Sequence, residues 1–192
     1  MPQPTPDFMT TTPAAPAASS PAPSSIRTRQ RAAAVVRRAD GQVLLHRLER
    51  DTFWALPGGA IEPGESASEA IARELHEELD TAVALGNLAF VVENFFCHAG
   101  DSYHEIGLYL HATPLPGSLL AASDGPYEGV EGNQTLIFAW FPLHELAALD
   151  LRPAFLRSAL TEPPSSVGAL HIVHRDAPQP ASAIVDTPLS FS

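Results

Sequence analysis

The spacing of apolar positions divides this chain into short extended runs, one amphipathic helix and two ends without periodicity. Arg31 to Arg38 reads as a strand, Asp40-Gly41 as a hairpin signal and Gln42 to Glu49 as the partner strand. Phe53 to Leu56 is a short strand entering a Pro-Gly-Gly turn. Val83 to Phe96 is β-rich, with Gly86-Asn87 marking a bend, and Tyr103 to Thr113 is a further strand. Residues 114–133, rich in Gly and Pro, read as a loop before a strand from Gln134 to Phe141. His144 to Leu149 and Pro153 to Leu160 read as short helices, with Pro153 in the first turn of the second. Ala169 to Arg175 reads as the last strand. These elements predict an α/β sandwich, with a mixed sheet between a long helix and a C-terminal one.

The long helix carries the clearest pattern. Ser66 followed by Glu69 is a capping box, and Pro63-Gly64 marks the loop before it. From Ala67 to Leu79, a wheel places Ala67, Ile71, Ala72, Leu75 and Leu79 on an apolar arc. Glu74, Glu77 and Glu78 form a second arc about 110° from the first. Carboxylates at i, i+3 and i+4 repel by roughly 0.2–0.5 kcal/mol per pair. Near a helix C-terminus the macrodipole disfavours them further. A solvated surface tolerates such a cluster; a bound divalent cation requires one. The turn Trp54-Ala55-Leu56-Pro57-Gly58-Gly59 precedes it, and glycines let a ligand approach the backbone closely. Arg73, at the edge of the acidic arc, is placed to pair with Glu65.

Residues 59–81, GAIEPGESASEAIARELHEELDT, resemble the Nudix box, G-x5-E-x7-R-E-U-x-E-E-x-G-U with U a bulky apolar residue. Gly59, Glu65, Arg73, Glu74, Leu75, Glu77 and Glu78 fall on their pattern positions. Asp80 stands where the pattern has Gly, and Thr81 where it has an apolar residue. Asp visits the left-handed region at some cost, so a small stability loss or an altered helix exit is expected. Neither departure removes a carboxylate. The resemblance implies the Nudix fold, an α/β/α sandwich with a mixed sheet. It also implies hydrolysis of a nucleoside diphosphate linked to another moiety, by water attack on phosphorus.

By the same resemblance, Glu74, Glu77 and Glu78 are metal ligands, with Glu78 foremost and Glu74 doubling as the base. Glu65 pairs with Arg73 or joins the metal shell, and the Gly58 carbonyl is a further ligand. Hard oxygen ligands suit Mg²⁺ or Mn²⁺. The family often adds a glutamate from outside the box. Glu105, in Tyr103-His104-Glu105-Ile106-Gly107, is the first candidate, and Glu128 and Glu131 are the alternatives. Gly58, Gly59, Phe95 and Tyr103 are candidate substrate contacts, with Phe96 and Tyr127 as further aromatics that could stack a base. His98, His104 and His111 lack a metal-ligand spacing and read as substrate-contacting or surface groups.

Composition bounds the rest. Residues 1–28 hold seven prolines among the first 25, and read as a disordered tail without a signal peptide's cationic start. Met9 is an alternative start. Residues 29–176 read as one domain, and 177–192 as a second loose end. With 11 basic residues, all Arg, against 22 acidic, the net charge of −11 argues against duplex nucleic acid as a partner. A small nucleotide is not excluded, because a bound cation supplies local positive charge. Cys97 stands alone, so no internal disulfide forms, and it reads as a small buried hydrophobe. No run of 18 apolar residues occurs, and a cytoplasmic monomer or homodimer is expected. The alternatives to a hydrolase are a catalytically silent nucleotide sensor of the same fold and a structural protein with an acidic helix. No motif selects one nucleotide derivative.

Overall fold

The computed structural model describes residues 26–98, 100–163 and 168–176. Of the expected tails, 1–28 and 177–192, residues 1–25 and 177–192 lie outside them. In chain order the elements are β1 (Ile26–Val36), β2 (Gln42–Leu48), α1 (Ala67–Leu79), β3 (Val83–His98) and β4 (Asp101–Pro114). There follow α2 (Leu119–Ala122), β5 (Tyr127–Glu131), β6 (Gln134–Pro142), a 3-10 helix (Leu143–Ala148), α3 (Leu156–Ala159) and β7 (Leu170–Arg175). One sheet has the order β1-β4-β3-β7, the other β2-β6-β5. The first is mixed: β1 runs parallel to β4, β3 antiparallel to β4, and β7 parallel to β3. The second is antiparallel throughout.

Strand β1 explains the layering. Ala32, Ala34 and Val36 belong to a core with Ile71, Leu75 and Leu79 of α1. Ala33 and Val35 belong to a second core with Tyr109, Leu146, Leu151 and Leu156. A strand whose successive side chains enter opposite cores is covered on both faces. Helix α1 therefore lies on one side, and the 3-10 helix with α3 on the other. This is the expected α/β/α sandwich. Each fully buried Ile or Leu on these faces contributes about 1.5–3 kcal/mol. Among the described residues no helix is long and apolar enough to cross a membrane.

The structure departs from the sequence reading in four places. At Asp40-Gly41 the chain does reverse, with the Gly41 N–H donating to the Arg38 carbonyl. Yet β1 and β2 share only the bridge Arg37–Val43 and then enter different sheets. The Gly-rich turn takes the place of β2 beside β1: Ala34 donates to the Pro57 carbonyl at 2.8 Å and Ala32 to that of Gly59 at 2.9 Å. Second, β1 begins at Ile26, inside the stretch read as tail, because the long β3–β4 hairpin gives it a parallel partner that far out. Third, residues 114–133 contain α2 and β5, the latter forming a hairpin with β6. Fourth, Cys97 is exposed near the tip of the β3–β4 hairpin. The Gly86-Asn87 bend appears as shifts of register between Leu85, Leu88 and Phe90.

Candidate active site

Helix α1 starts as its capping box dictates. The Ser66 hydroxyl accepts from the Glu69 N–H, and the Glu69 carboxylate accepts from the Ser66 N–H at 2.8 Å. It ends with Asp80 in the left-handed region at φ 45°, the one non-glycine with positive φ among the described residues. Asp80 donates to the His76 carbonyl at 3.0 Å and Thr81 to that of Leu75 at 3.3 Å. The first of these is the single bond of the left-handed closure that glycine commonly makes at a helix end. The exit keeps its usual geometry despite the substituted residue.

The helix buries a face rotated from the one its apolar residues suggest. Ala70 is buried and Ala72 exposed, and Glu78 is 7% exposed. At 100° per residue Glu78 falls between Ala67 and Ile71, within the apolar arc and not on its flank. Burial pushes its carboxyl pKa up to about 8, aided by the negative charges of Glu74, Glu131 and Glu77 and opposed by Arg31. Its Oε2 is buried without a hydrogen-bond partner. His46 of β2 is 3.7 Å away, with its Nδ1 also unpartnered. Burial, and then Arg31, drives the imidazole pKa down to about 3. Between those two values both groups are neutral, so their approach is not an ion pair.

Arg73 gathers the other box carboxylates. Its Nε donates to Glu65 at 2.9 Å and one terminal nitrogen donates to the other Glu65 oxygen at 3.0 Å. The second terminal nitrogen donates to Glu74 at 2.9 Å and to Glu77 at 3.3 Å. These bonds, Glu65 first, raise the guanidinium pKa, and Arg73 in turn lowers that of Glu65. Glu65 thus pairs with Arg73 in this structure. Among the described residues no three His, Cys, Asp or Glu side chains converge as a ready metal cage. The arginine already sits where the carboxylates meet.

The Gly-rich turn fits against this cluster from the other side. Gly58 has φ 134°, and a Cβ there would strike the Ala32 carbonyl of β1. A Cβ on Gly59 would strike the Glu74 carboxylate. The bonds to β1 use the carbonyls of Pro57 and Gly59 and leave that of Gly58 out of the ladder.

The candidates outside the box fare differently. Glu105 pairs across the sheet with Asn94, two steps from Gly107 and four from Tyr109. Tyr109 belongs to the core opposite α1, so the alternation places Glu105 on the far face of the sheet. There it is 2% exposed and accepts from the Arg29 Nε at 2.6 Å. It is not brought to the box glutamates. Glu131, one of the two alternatives, acts on Glu78. It shares a face of β5 with Gly129, whose absent Cβ would meet the Glu78 carbonyl, whereas Glu128 points the other way. Phe95 and Tyr103 lie on opposite faces of the β3–β4 hairpin: Phe95 stacks on His104 at 4.2 Å, and Tyr103 on Phe96 at 5.1 Å. One ligand cannot rest on both. Tyr127 is in the core, its hydroxyl accepting from the Trp140 indole. His104 sits 3.4 Å from Glu93. Sequence reasoning missed His46, Arg31 and Gly129. A histidine closing the apolar run Val43-Leu44-Leu45 was the available signal for the first.

Comparison with known proteins adds four matches. The family model described as NUDIX domain matches residues 27–161. A Bacillus subtilis protein named "Putative ADP-ribose pyrophosphatase YjhB" is 28% identical over 112 residues, 58% of this chain and 49% of its own length. Another, named "Putative 8-oxo-dGTP diphosphatase", is 43% identical over 56 residues, 29% of this chain and 38% of its own length. The chain thus spans about half or less of these relatives. A NUDIX hydrolase of Nitrosomonas europaea shares the fold, with a TM-score of 0.54 at 18% identity over 77% of this chain and 79% of that one.

Proposed function

The chain belongs to the NUDIX domain family, and from that premise we propose that it is a Mg²⁺-dependent pyrophosphohydrolase. Its substrate in this reading is a nucleoside diphosphate linked to another moiety, the class to which ADP-ribose and 8-oxo-dGTP of the relatives' names both belong. One observation carries the proposal: Glu78 is buried amid three other carboxylates with an oxygen that no hydrogen bond satisfies. Burying a charge without a partner is costly, and a coordinated cation removes that cost.

The residues fit such an ion. Glu78, Glu77 and Glu131, with the Gly58 carbonyl, would hold it, and all are hard oxygen donors. When bound, a divalent cation neutralises phosphate oxygens and lowers the pKa of water. The chain's own groups do the rest. Glu74, pressed against Gly59, takes the proton from the attacking water. The water oxygen bonds to phosphorus as the bridging P–O bond breaks, and the departing phosphate carries away that electron pair. Arg73 positions Glu74 and Glu77 and balances their charge. Gly59, half-buried beside the Glu74 carboxylate, would bring backbone close to the phosphates. A lone cysteine, which can form no internal disulfide, fits a reducing, cytoplasmic setting.

Incubation of the full chain with a panel of nucleoside triphosphates, dinucleoside polyphosphates and nucleotide sugars tests this. Release of phosphate or monophosphate with Mg²⁺, and none with EDTA, is expected. Metal-insensitive binding without turnover would instead identify a sensor.

A further inference from the structure

His46 is a buried imidazole that the proposed chemistry does not use, and its place is fixed from two sides. Its backbone N–H donates to the Ala55 carbonyl and its carbonyl accepts from the Ala55 N–H, both at 2.9 Å. Across β2 and β6 it pairs with Phe138, and the two ring centres lie 5.3 Å apart. Leu44, on the same face of β2, belongs to the core shared with α1. The imidazole therefore points toward α1, where it meets Glu78. Gly129 adds a further constraint: a Cβ there would strike both the Glu78 carbonyl and the Phe138 ring. The imidazole, Phe138 and the backbone of Glu78 are thus packed together.

A leucine or phenylalanine would suit that position if packing were its only role. Instead the His46 Nδ1 and the Glu78 Oε2 face one another at 3.7 Å, and both are buried without a hydrogen-bond partner. Each orphan atom costs stability alone, and one hydrogen bond between them removes both costs. The separation is just beyond bonding range, and the last torsion of a glutamate side chain is soft. The imidazole is wedged against Phe138, so the carboxylate is the group that turns.

Resting on the pyrophosphohydrolase reading, we propose that His46 is a positioning residue, whose Nδ1–H holds Oε2 of Glu78 and leaves the other oxygen to the divalent cation. A neutral imidazole carries one N–H, and this role places it on Nδ1. His46 acts through Glu78 and touches neither substrate nor ion. Hydrogen-bonded partners of metal-ligating carboxylates commonly orient them in this way. The same residue is bonded to Ala55, in the segment that leads to Gly58. It therefore couples two candidate donors, the Glu78 carboxylate and the Gly58 carbonyl, that lie on different elements.

The test is calorimetric Mg²⁺ binding by the full chain without substrate, joined to nitrogen NMR of the wild-type imidazole. His46→Leu should weaken Mg²⁺ binding by about 10–100-fold. His46→Asn keeps an N–H donor bonded to Cγ, where Nδ1 stands, and should hold Mg²⁺ affinity within about threefold of wild type. A histidine needed only for packing would be replaced better by Leu than by Asn, so the opposite order of affinities would overturn the proposal. In the Mg²⁺-loaded wild type the ring proton should sit on Nδ1. An Nε2–H tautomer there would overturn the proposal without any variant, should either one fail to fold. Full Mg²⁺ affinity in His46→Leu, with Mg²⁺-dependent turnover by the wild type, would remove His46 and leave the hydrolase standing. A wild type that binds no Mg²⁺ would end the hydrolase reading and this one with it.

Discussion

Among the described residues two glutamates are buried, Glu78 and Glu105, and their surroundings are opposite. Glu105 has a guanidinium at 2.6 Å, and the pair closes on itself. Glu78 has three carboxylates nearby, a neutral histidine at 3.7 Å and Arg31 as its one opposing charge. Burial penalises both, and only the first is compensated within the chain. An uncompensated buried acid is a poor structural element, which is why α1 reads as a site and the Glu105–Arg29 pair does not.

The sharpest way to break that contrast is to neutralise Glu78. Glu78→Gln should lower Mg²⁺-dependent turnover by about 10³-fold or more, while the metal-free thermal melt stays level or rises. Retained turnover in a steady-state assay would remove Glu78 from the site. Next is the turn that faces it. Gly58→Ala places a Cβ against β1 backbone at a φ that side chains avoid, and should destabilise by about 3 kcal/mol in urea unfolding. Gly59→Ala meets only the movable Glu74 carboxylate, so it should lose activity with a smaller stability change. On the other side of the comparison, Arg29→Leu leaves Glu105 buried and unpaired. Because Arg29 is half-exposed, a loss of about 1–2 kcal/mol is expected, below the usual figure for a fully buried pair.

A pH series sharpens the same distinction. The folded, metal-free chain holds a proton on Glu78 up to about pH 8, where an unfolded chain has already released it. Stability of the EDTA-treated protein should therefore fall as pH rises from about 4.5 to 8, with the full penalty present above that window. Glu78→Gln should flatten this slope. Mg²⁺ binding at pH 7 should release a proton, visible as a buffer-dependent heat, and release none well above pH 8. The smallest effect belongs to the helix exit: Asp80→Gly should stabilise by about 0.5 kcal/mol, by relieving a left-handed aspartate, and leave turnover unchanged.

Much of this was legible in the residues, and the misses have physical causes. Helix α1 and its exit were readable because caps and periodicity are local. The sandwich followed from the order of elements. The β1–β2 pairing was misread because Asp40-Gly41 specifies a reversal and says nothing of which segment wins the strand edge; Ala32 and Ala34 bond to the Gly-rich turn instead. Alternation told which residues share a face with Glu105 but not which face meets α1, and that depends on the register with Tyr109. Glu78 groups with Glu74 and Glu77 by charge, although its own angle at 100° per residue lies inside the apolar arc. Strand β5 was hidden because Tyr127–Glu131 is short and has glycine at its centre.

The three alanines of β1 set the terms on which this scaffold could be remodelled. Ala32, Ala33 and Ala34 have no exposed surface to speak of, and they alternate between two cores while one strand edge carries the Gly-rich turn. A larger residue at any of them would wedge a layer away and shift the turn with it. Libraries aimed at new substrates would therefore waste their diversity on this strand. The hairpin beyond Gly107, where the sheet outruns its cores, is where variation can be absorbed without moving the carboxylates.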